Sequence, residues 1–152
     1  MVFYQCFGRA HTSVVAAAIH LGLLPTEEKM VPSTAQIMAL PYFDRSKKED
    51  FGRPLFLGRD EDGHEIFILG LGGGFREGLG AISSVFRLAG RETPLIVDTL
   101  LGLGFLGRLG GWLSRELGLV RLGRPLAAYG VKKIYPQLVR TVMEVKSFLR
   151  TI

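Results

Sequence analysis

The residues best suited to chemistry lie in one short stretch, residues 6–13, which read Cys-Phe-Gly-Arg-Ala-His-Thr-Ser. Cys6 is the only cysteine of the chain. A thiol becomes a nucleophile where its surroundings favour the thiolate, although a free cysteine also packs well in a core. His11 could partner that thiolate, act as an acid or base, or only hydrogen-bond within the loop. Cys6 and His11 are therefore the candidate catalytic residues.

The elements on either side of this stretch are predicted to position it. An aromatic and β-branched run at residues 2–7 predicts a strand, and an alanine-rich run at residues 14–21 predicts a helix. Such a strand–loop–helix unit directs backbone N–H groups and the positive end of a helix dipole toward one place, which favours an anion. The candidate anion-binding residues are Gly8, Arg9, Thr12 and Ser13, of which the last two also suit helix capping.

This loop resembles the catalytic loop of low-molecular-weight tyrosine phosphatases, in which a nucleophilic cysteine ends the first strand. Cys6, Gly8 and Ser13 lie at matching positions. The phosphatase arginine, six residues after the cysteine, is replaced by Thr12. The resemblance implies phosphatase chemistry, and the replacement removes the group that grips phosphate bidentately.

The end of the loop also resembles the phosphocysteine loop of sugar phosphotransferase-system IIB components of the lactose/cellobiose type. In that loop, threonine and serine follow the cysteine by six and seven residues, as Thr12 and Ser13 do after Cys6. This second resemblance implies phosphoryl transfer in which hydroxyl and backbone N–H groups hold the phosphate.

Most of the chain is similar to a family of small Firmicutes proteins of unknown function. The similarity covers residues 4–13, 16–25, 60–70 and 123–126. Family members have a second glycine in the loop, directly after the first, where this chain has Arg9. The resemblance implies a shared fold without naming a reaction.

Strands and helices are predicted to alternate along the rest of the chain. The run Pro32-Ser33-Thr34 offers an N-cap for a short helix that ends at Leu40, and an Asp-Gly turn between apolar runs at 55–57 and 65–69 predicts a hairpin. The remaining predictions are a helix from about Phe75 to Leu88, a strand over 94–99, a helix around 109–117, a fifth strand over 125–129 and a helix from about Tyr135 to Leu149.

This alternation is typical of an α/β domain. We expect a three-layer sandwich with a mostly parallel sheet of about five strands and an edge hairpin, in a single domain over residues 1–152. Ligands in such folds bind beyond the carboxyl ends of the strands. The loops after Phe7, Leu69, Val97 and Tyr129 are therefore expected at one edge of the sheet.

Composition limits the compartment and the partners. One cysteine allows no internal disulfide, and the chain starts without a signal peptide pattern, so we predict a cytoplasmic protein. Residues 91–152 carry ten Lys and Arg against four Asp and Glu. That basic half suits solvent or an acidic partner, but it has no aromatic-interleaved cluster that would indicate nucleic acid. One Cys and three scattered His give no zinc-finger spacing, and we expect no metal and no cofactor.

Three functions remain open. The first is an enzyme in which Cys6 attacks or carries a phosphoryl group, with a phosphorylated small molecule or anion as ligand. The second is a non-catalytic binding or regulatory protein that recognises a phosphorylated ligand or a macromolecular partner. The third is peripheral membrane association through the apolar residues 100–113, which contain Phe105, Leu106 and Trp112. The number of subunits stays open.

Overall fold

Four strands and five α-helices form the part of the chain that the computed structural model describes, residues 1–100 and 120–151. The strands are β1 (Val2–Cys6), β2 (Leu55–Arg59), β3 (Glu65–Gly70) and β4 (Leu95–Asp98). The helices are α1 (Thr12–His20), α2 (Thr34–Ala39), α3 (Phe75–Leu88), α4 (Val120–Lys133) and α5 (Tyr135–Leu149), with a short 3-10 helix at Lys48–Asp50.

The strands form one mixed sheet in the order β2-β3-β1-β4. The central strand β1 pairs in parallel with β3 and β4, whereas β2 pairs antiparallel with β3 as the predicted edge hairpin. The register places Cys6 opposite Gly70, and Gln5 opposite Asp98. Three strands therefore end at the same edge of the sheet, as expected of the loops after β1, β3 and β4.

The main core lies between the sheet and one group of helices. All nine residues of α1 are buried, and α5 packs against α1 through the apolar side chains predicted to form its inner face. Those side chains, Leu138, Val139, Val142, Val145 and Leu149, are all buried. On the other face, the ring of Phe86 in α3 lies 6.3 Å from that of Phe3 in β1. The α/β class is confirmed, and the three-layer sandwich stays a prediction.

The prediction of a strand over residues 125–129 is wrong, because these residues lie inside α4. A run of five apolar residues fits a strand or a buried helix equally well. The buried residues Ala127, Ala128 and Val131 recur at helical spacing. Pro125 also lies inside the helix, although proline usually ends one. The loop expected after Tyr129 therefore does not exist, and the described sheet has four strands where about five were expected.

Two further predictions lie outside the described residues. These are the helix around residues 109–117 and the membrane-surface segment over residues 100–113, apart from its first residue. Within residues 1–100 and 120–151, the helices are too short or too polar to span a membrane. The extent of the domain, predicted as residues 1–152, stays a prediction.

Candidate functional site

The loop between β1 and α1 lies at the edge where the parallel strands end. Its backbone is tied to two other segments: the N–H of Gly72 donates to the Phe7 carbonyl at 2.8 Å, and the N–H of Asp44 donates to the Ala10 carbonyl at 2.9 Å. The loop also packs directly on β3, since a Cβ atom on Gly70 would lie 2.6 Å from the Arg9 nitrogen and 2.8 Å from Gly8 Cα. Any larger residue at position 70 would displace the backbone of the loop, so the contact requires glycine there.

Cys6 lies at the base of this loop and is 3% exposed. Its Sγ is 3.0 Å from Ser13 Oγ. Burial by itself raises the pKa of the thiol, but hydrogen bonds from the Ser13 side chain and from the backbone N–H groups of His11, Ser13 and Ala10 together lower it below its ordinary value. The N-terminus of α1 adds a positive partial charge at the same place. The loop is thus built to stabilise negative charge at Sγ.

Arg9 adopts a left-handed backbone conformation, with φ 57°. Its guanidinium donates to the Arg53 carbonyl at 2.7 Å and forms an ion pair with Asp50 at 2.9 Å. A hydrogen bond from the Lys47 N–H and this ion pair lower the pKa of Asp50, against the opposing effect of partial burial. The guanidinium of Arg9 is therefore bound by residues 50 and 53, in the segment that follows α2.

His11 lies directly before α1, and its Nε2 is 2.9 Å from Asp44 Oδ1. The two side chains are 10% and 2% exposed. On another side of the imidazole, the ring of Phe43 lies at 5.3 Å in an edge-to-face arrangement. His11 contributes its backbone N–H to the Cys6 thiol while its side chain is held between Phe43 and Asp44.

Thr12 belongs to a buried polar network at the end of β4. The hydroxyl of Thr99 lies 2.7 Å from the Gln5 carbonyl oxygen and 2.9 Å from Thr12 Oγ1. Asp98 accepts hydrogen bonds from Gln5 Nε2 at 2.7 Å and from the backbone N–H of Leu100. These contacts fix the first turn of α1 against β1 and the end of β4, so Thr12 has a structural role.

The six predicted site residues thus lie at one junction: Cys6 ends β1, residues 8, 9 and 11 lie in the loop, and residues 12 and 13 begin α1, where Ser13 faces the Cys6 thiol. The main addition of the structure is the segment over residues 41–53, which the sequence indicated only as a polar connection. Asp44, Asp50 and Phe43 all contact the loop from there. Two of them are acidic residues in a charged run, and no local spacing marks which acidic residue faces the loop.

A second buried polar group lies away from this loop. His20 Nδ1 is 2.7 Å from the Tyr4 hydroxyl, and its Nε2 is 3.0 Å from Asp60 Oδ2, which also contacts His64 Nδ1 at 3.0 Å. Burial is the main cause that lowers the pKa of His20. Burial would raise the pKa of Asp60, but hydrogen bonds from His20 and His64 lower it to about 2. This chain of contacts joins β1, α1 and the hairpin turn.

The hairpin turn holds the one candidate ligand set for a metal in the described residues. Asp60, Asp62 and His64 place three ligand atoms within 4.8 Å of one another. Both carboxylate oxygens of Asp60 already accept hydrogen bonds, Oδ1 from backbone N–H groups and Oδ2 from the two imidazoles. The hydrogen bonds of the turn account for this grouping, and we assign no metal to it.

Fold and site together define a class: an α/β protein with a cysteine-centred loop between its first strand and first helix. Residues 1–147 match the protein family of unknown function DUF3189, and the chain belongs to that family. No curated protein sequence and no solved structure is significantly similar to the chain.

Proposed function

We propose that the Cys6 loop binds a phosphate group or a similar oxyanion, and that Cys6 is the nucleophile of a phosphoryl transfer. The observation that carries this proposal is the surroundings of Sγ, where three backbone N–H groups and the Ser13 hydroxyl outweigh the effect of burial and lower the pKa of the thiol. A thiolate is the reactive form of cysteine. The same N–H groups, at the start of a helix, are the donors that a bound oxyanion needs.

The proposed reaction has two steps. In the first, the Cys6 thiolate forms an S–P bond while the ester P–O bond breaks, and the departing oxygen takes a proton from His11. In the second, water forms an O–P bond while the S–P bond breaks, and His11 takes the proton that water loses. The sum is hydrolysis of a phosphate ester, with the thiolate and the protonated imidazole both restored.

The other loop residues support this chemistry in different ways. Gly8 lies where the loop packs on Gly70, whose lack of a Cβ atom leaves room for it, and Thr12 anchors the first turn of α1 through Thr99. Arg9 brings a cation to the loop, where its guanidinium forms an ion pair with Asp50. In this proposal Gly8, Arg9, Thr12 and Ser13 form the anion-binding loop around the nucleophile Cys6.

A second candidate function is recognition of a phosphorylated ligand without catalysis. The low exposure of Cys6, 3%, favours it, because a ligand can contact backbone N–H groups at the loop surface without reaching the sulfur. The macromolecular partner of this candidate would use the basic C-terminal half. For either candidate we propose a cytoplasmic location, since a single reactive thiol suits a reducing compartment.

The deciding experiment is the rate of Cys6 alkylation by iodoacetamide as a function of pH, with and without phosphate or vanadate. The proposal predicts reaction at a pH below the ordinary pKa of cysteine, about 8.5, and protection by the anion. The single cysteine means that one modified site reports the result, and Cys6→Ser is the blank. A thiol that reacts only when the protein unfolds would refute the catalytic role, and anion binding that survives alkylation would support the second candidate.

A further inference from the structure

Two phenylalanine side chains are exposed at the Cys6 loop. Phe7, the residue directly after Cys6, is 53% exposed, and Phe51 is 36% exposed. Their rings form an edge-to-face pair with centroids 5.9 Å apart. A single exposed apolar side chain is common on a protein surface, but two aromatic rings in contact at the rim of a loop form an apolar surface that a ligand can cover.

Phe51 packs on the same backbone that holds the start of the loop. A Cβ atom on Gly72 would lie 3.2 Å from the Phe51 ring, so the ring rests directly on Gly72. The N–H of Gly72 donates to the Phe7 carbonyl at 2.8 Å. Phe51 thus contacts the loop through the Phe7 ring and also through the residue that binds the Phe7 backbone.

The neighbours of Phe51 in the chain are bound to the site as well. Asp50 forms its ion pair with Arg9 of the loop at 2.9 Å. The N–H of Gly52 donates to the Gly70 carbonyl at 2.8 Å, and Gly70 pairs with the last residue of β1. Contacts on both sides therefore hold the Phe51 ring where β1 ends and the loop begins.

The burial of Cys6 decides which way the organic group of a bound ester points. In an in-line displacement, the leaving oxygen lies opposite the attacking atom. Because the sulfur is buried at the base of the loop, the leaving oxygen and the group attached to it point toward the surface. The backbone N–H groups contact only phosphoryl oxygens, so they do not distinguish one ester from another.

We propose that Phe7 and Phe51 determine the specificity of the loop, and that its ligands are phosphate esters with an apolar organic group. This inference rests on the proposed function and adds the class of substrate. The phosphoryl group binds to the N–H donors of the loop, and the organic group covers the two exposed rings. Burial of apolar surface against an aromatic pair then favours such an ester over one with a polar organic group.

The test compares the dissociation constants of inorganic phosphate, phenylphosphonate and hydroxymethylphosphonate. The proposed reaction does not break the C–P bond of a phosphonate, so binding is measured apart from turnover. Backbone amide NMR signals report the binding, and those of residues 10, 11 and 13 should shift with all three ligands. We expect phenylphosphonate to bind about tenfold more tightly than hydroxymethylphosphonate, the size expected for a phenyl group that packs on an aromatic pair.

Substitution of each ring tests its part in this preference. Phe51→Ala should reduce the preference for phenylphosphonate to about twofold or less and leave the affinity for inorganic phosphate unchanged. Phe7→Ala should have the same effect, and it replaces Phe51→Ala if that variant does not fold. Phe56→Ala is the matched control and should keep the wild-type preference, because its ring is 49% exposed on β2 and lies against Phe67.

The outcomes separate this inference from the proposed function. Equal affinity of the wild type for the two phosphonates, or tighter binding of the polar one, overturns the inference and leaves the anion site standing. This comparison needs no variant. A preference for phenylphosphonate that survives in both Phe7→Ala and Phe51→Ala overturns the assignment to these rings. A wild type that binds none of the three ligands overturns the inference and the proposed anion site together.

Discussion

The contact between Ser13 and Cys6 gives the sharpest test of why the thiol pKa is low. Ser13→Ala removes a hydroxyl that lies 3.0 Å from Sγ and leaves the backbone N–H groups in place. Ser13 is fully buried, so water does not replace the lost donor. The variant should therefore destabilise the thiolate more than the thiol.

The size of the effect follows from the charge of the acceptor. A hydrogen bond to a charged group contributes about 1.5–3 kcal/mol, and one pKa unit corresponds to about 1.4 kcal/mol. We expect the pKa of Cys6 to rise by about one to two in Ser13→Ala. At a pH below both pKa values, the thiolate fraction and the alkylation rate should then fall about 10- to 100-fold.

The assay is the iodoacetamide rate from pH 5 to pH 10, with folding checked by circular dichroism. Thr12→Val is the matched control, because it deletes a buried hydroxyl from the same turn of α1 that contacts Thr99. Its pKa curve for Cys6 should match that of the wild type. Equal curves for Ser13→Ala and the wild type would show that the hydroxyl does not stabilise the thiolate, and the reasoning on Ser13 would fail.

Three further perturbations test the fold. Gly70→Ala places a Cβ atom 2.6 Å from the Arg9 nitrogen and should destabilise the protein by about 1–3 kcal/mol in urea unfolding, whereas Gly73→Ala, with open space, should not. Asp60→Asn should remove a pH-dependent contribution to the free energy of unfolding. The pKa of Asp60 is about 2 in the folded protein and 3.8 in the unfolded chain, which corresponds to about 2 kcal/mol. This contribution is complete above pH 3.8 and is lost as the pH falls to 2. Urea midpoints at pH 2, 4 and 7 measure it, and parallel curves for variant and wild type would contradict it. Ser33→Ala removes the side-chain cap of α2 and should lower the free energy of unfolding by about 1 kcal/mol. An unchanged urea midpoint would show that the helix is capped without the hydroxyl.

Local sequence patterns predicted the helices whose apolar stripe or capping residue lies within a single short segment. The helices α3 and α5 lie at the approximate ranges predicted for them, and Ser33, which belongs to the predicted capping run 32–34, caps α2. Each signal, an apolar stripe or a capping residue, acts over a few residues along the chain. The candidate residues of the loop were found for the same reason, since they are contiguous.

Features that depend on contacts between distant segments could not be predicted from local patterns. Residues 41–53 were predicted only as a charged connection. The contact of Asp44 with the site depends on a backbone turn and on a loop more than 30 residues away, which no local pattern shows. Residues 125–129 were predicted as a strand because the sequence does not show which elements pack against them. Tertiary packing decides between helix and strand for such a short apolar run, and it also decides which of several acidic residues is buried.

At Arg9 a local effect and a distant contact oppose each other, because its backbone conformation favours glycine while its side chain forms an ion pair with a distant residue. Its left-handed φ of 57° is one that glycine adopts freely and arginine adopts at a cost of about 1–2 kcal/mol. The ion pair with Asp50 and the bond to the Arg53 carbonyl offset that cost.

We therefore expect Arg9→Gly to keep the loop, because strain and ion pair are lost together and their effects on stability oppose each other. The urea midpoint should change little, and the pKa of Cys6 should stay low because its hydrogen-bond donors are residues 10, 11 and 13. Arg9→Val loses the same ion pair but adds a β-branched side chain at positive φ, so it should destabilise the protein clearly. If glycine and valine were equally damaging, the guanidinium contacts rather than the backbone would shape the loop, and Arg9 would be its main support.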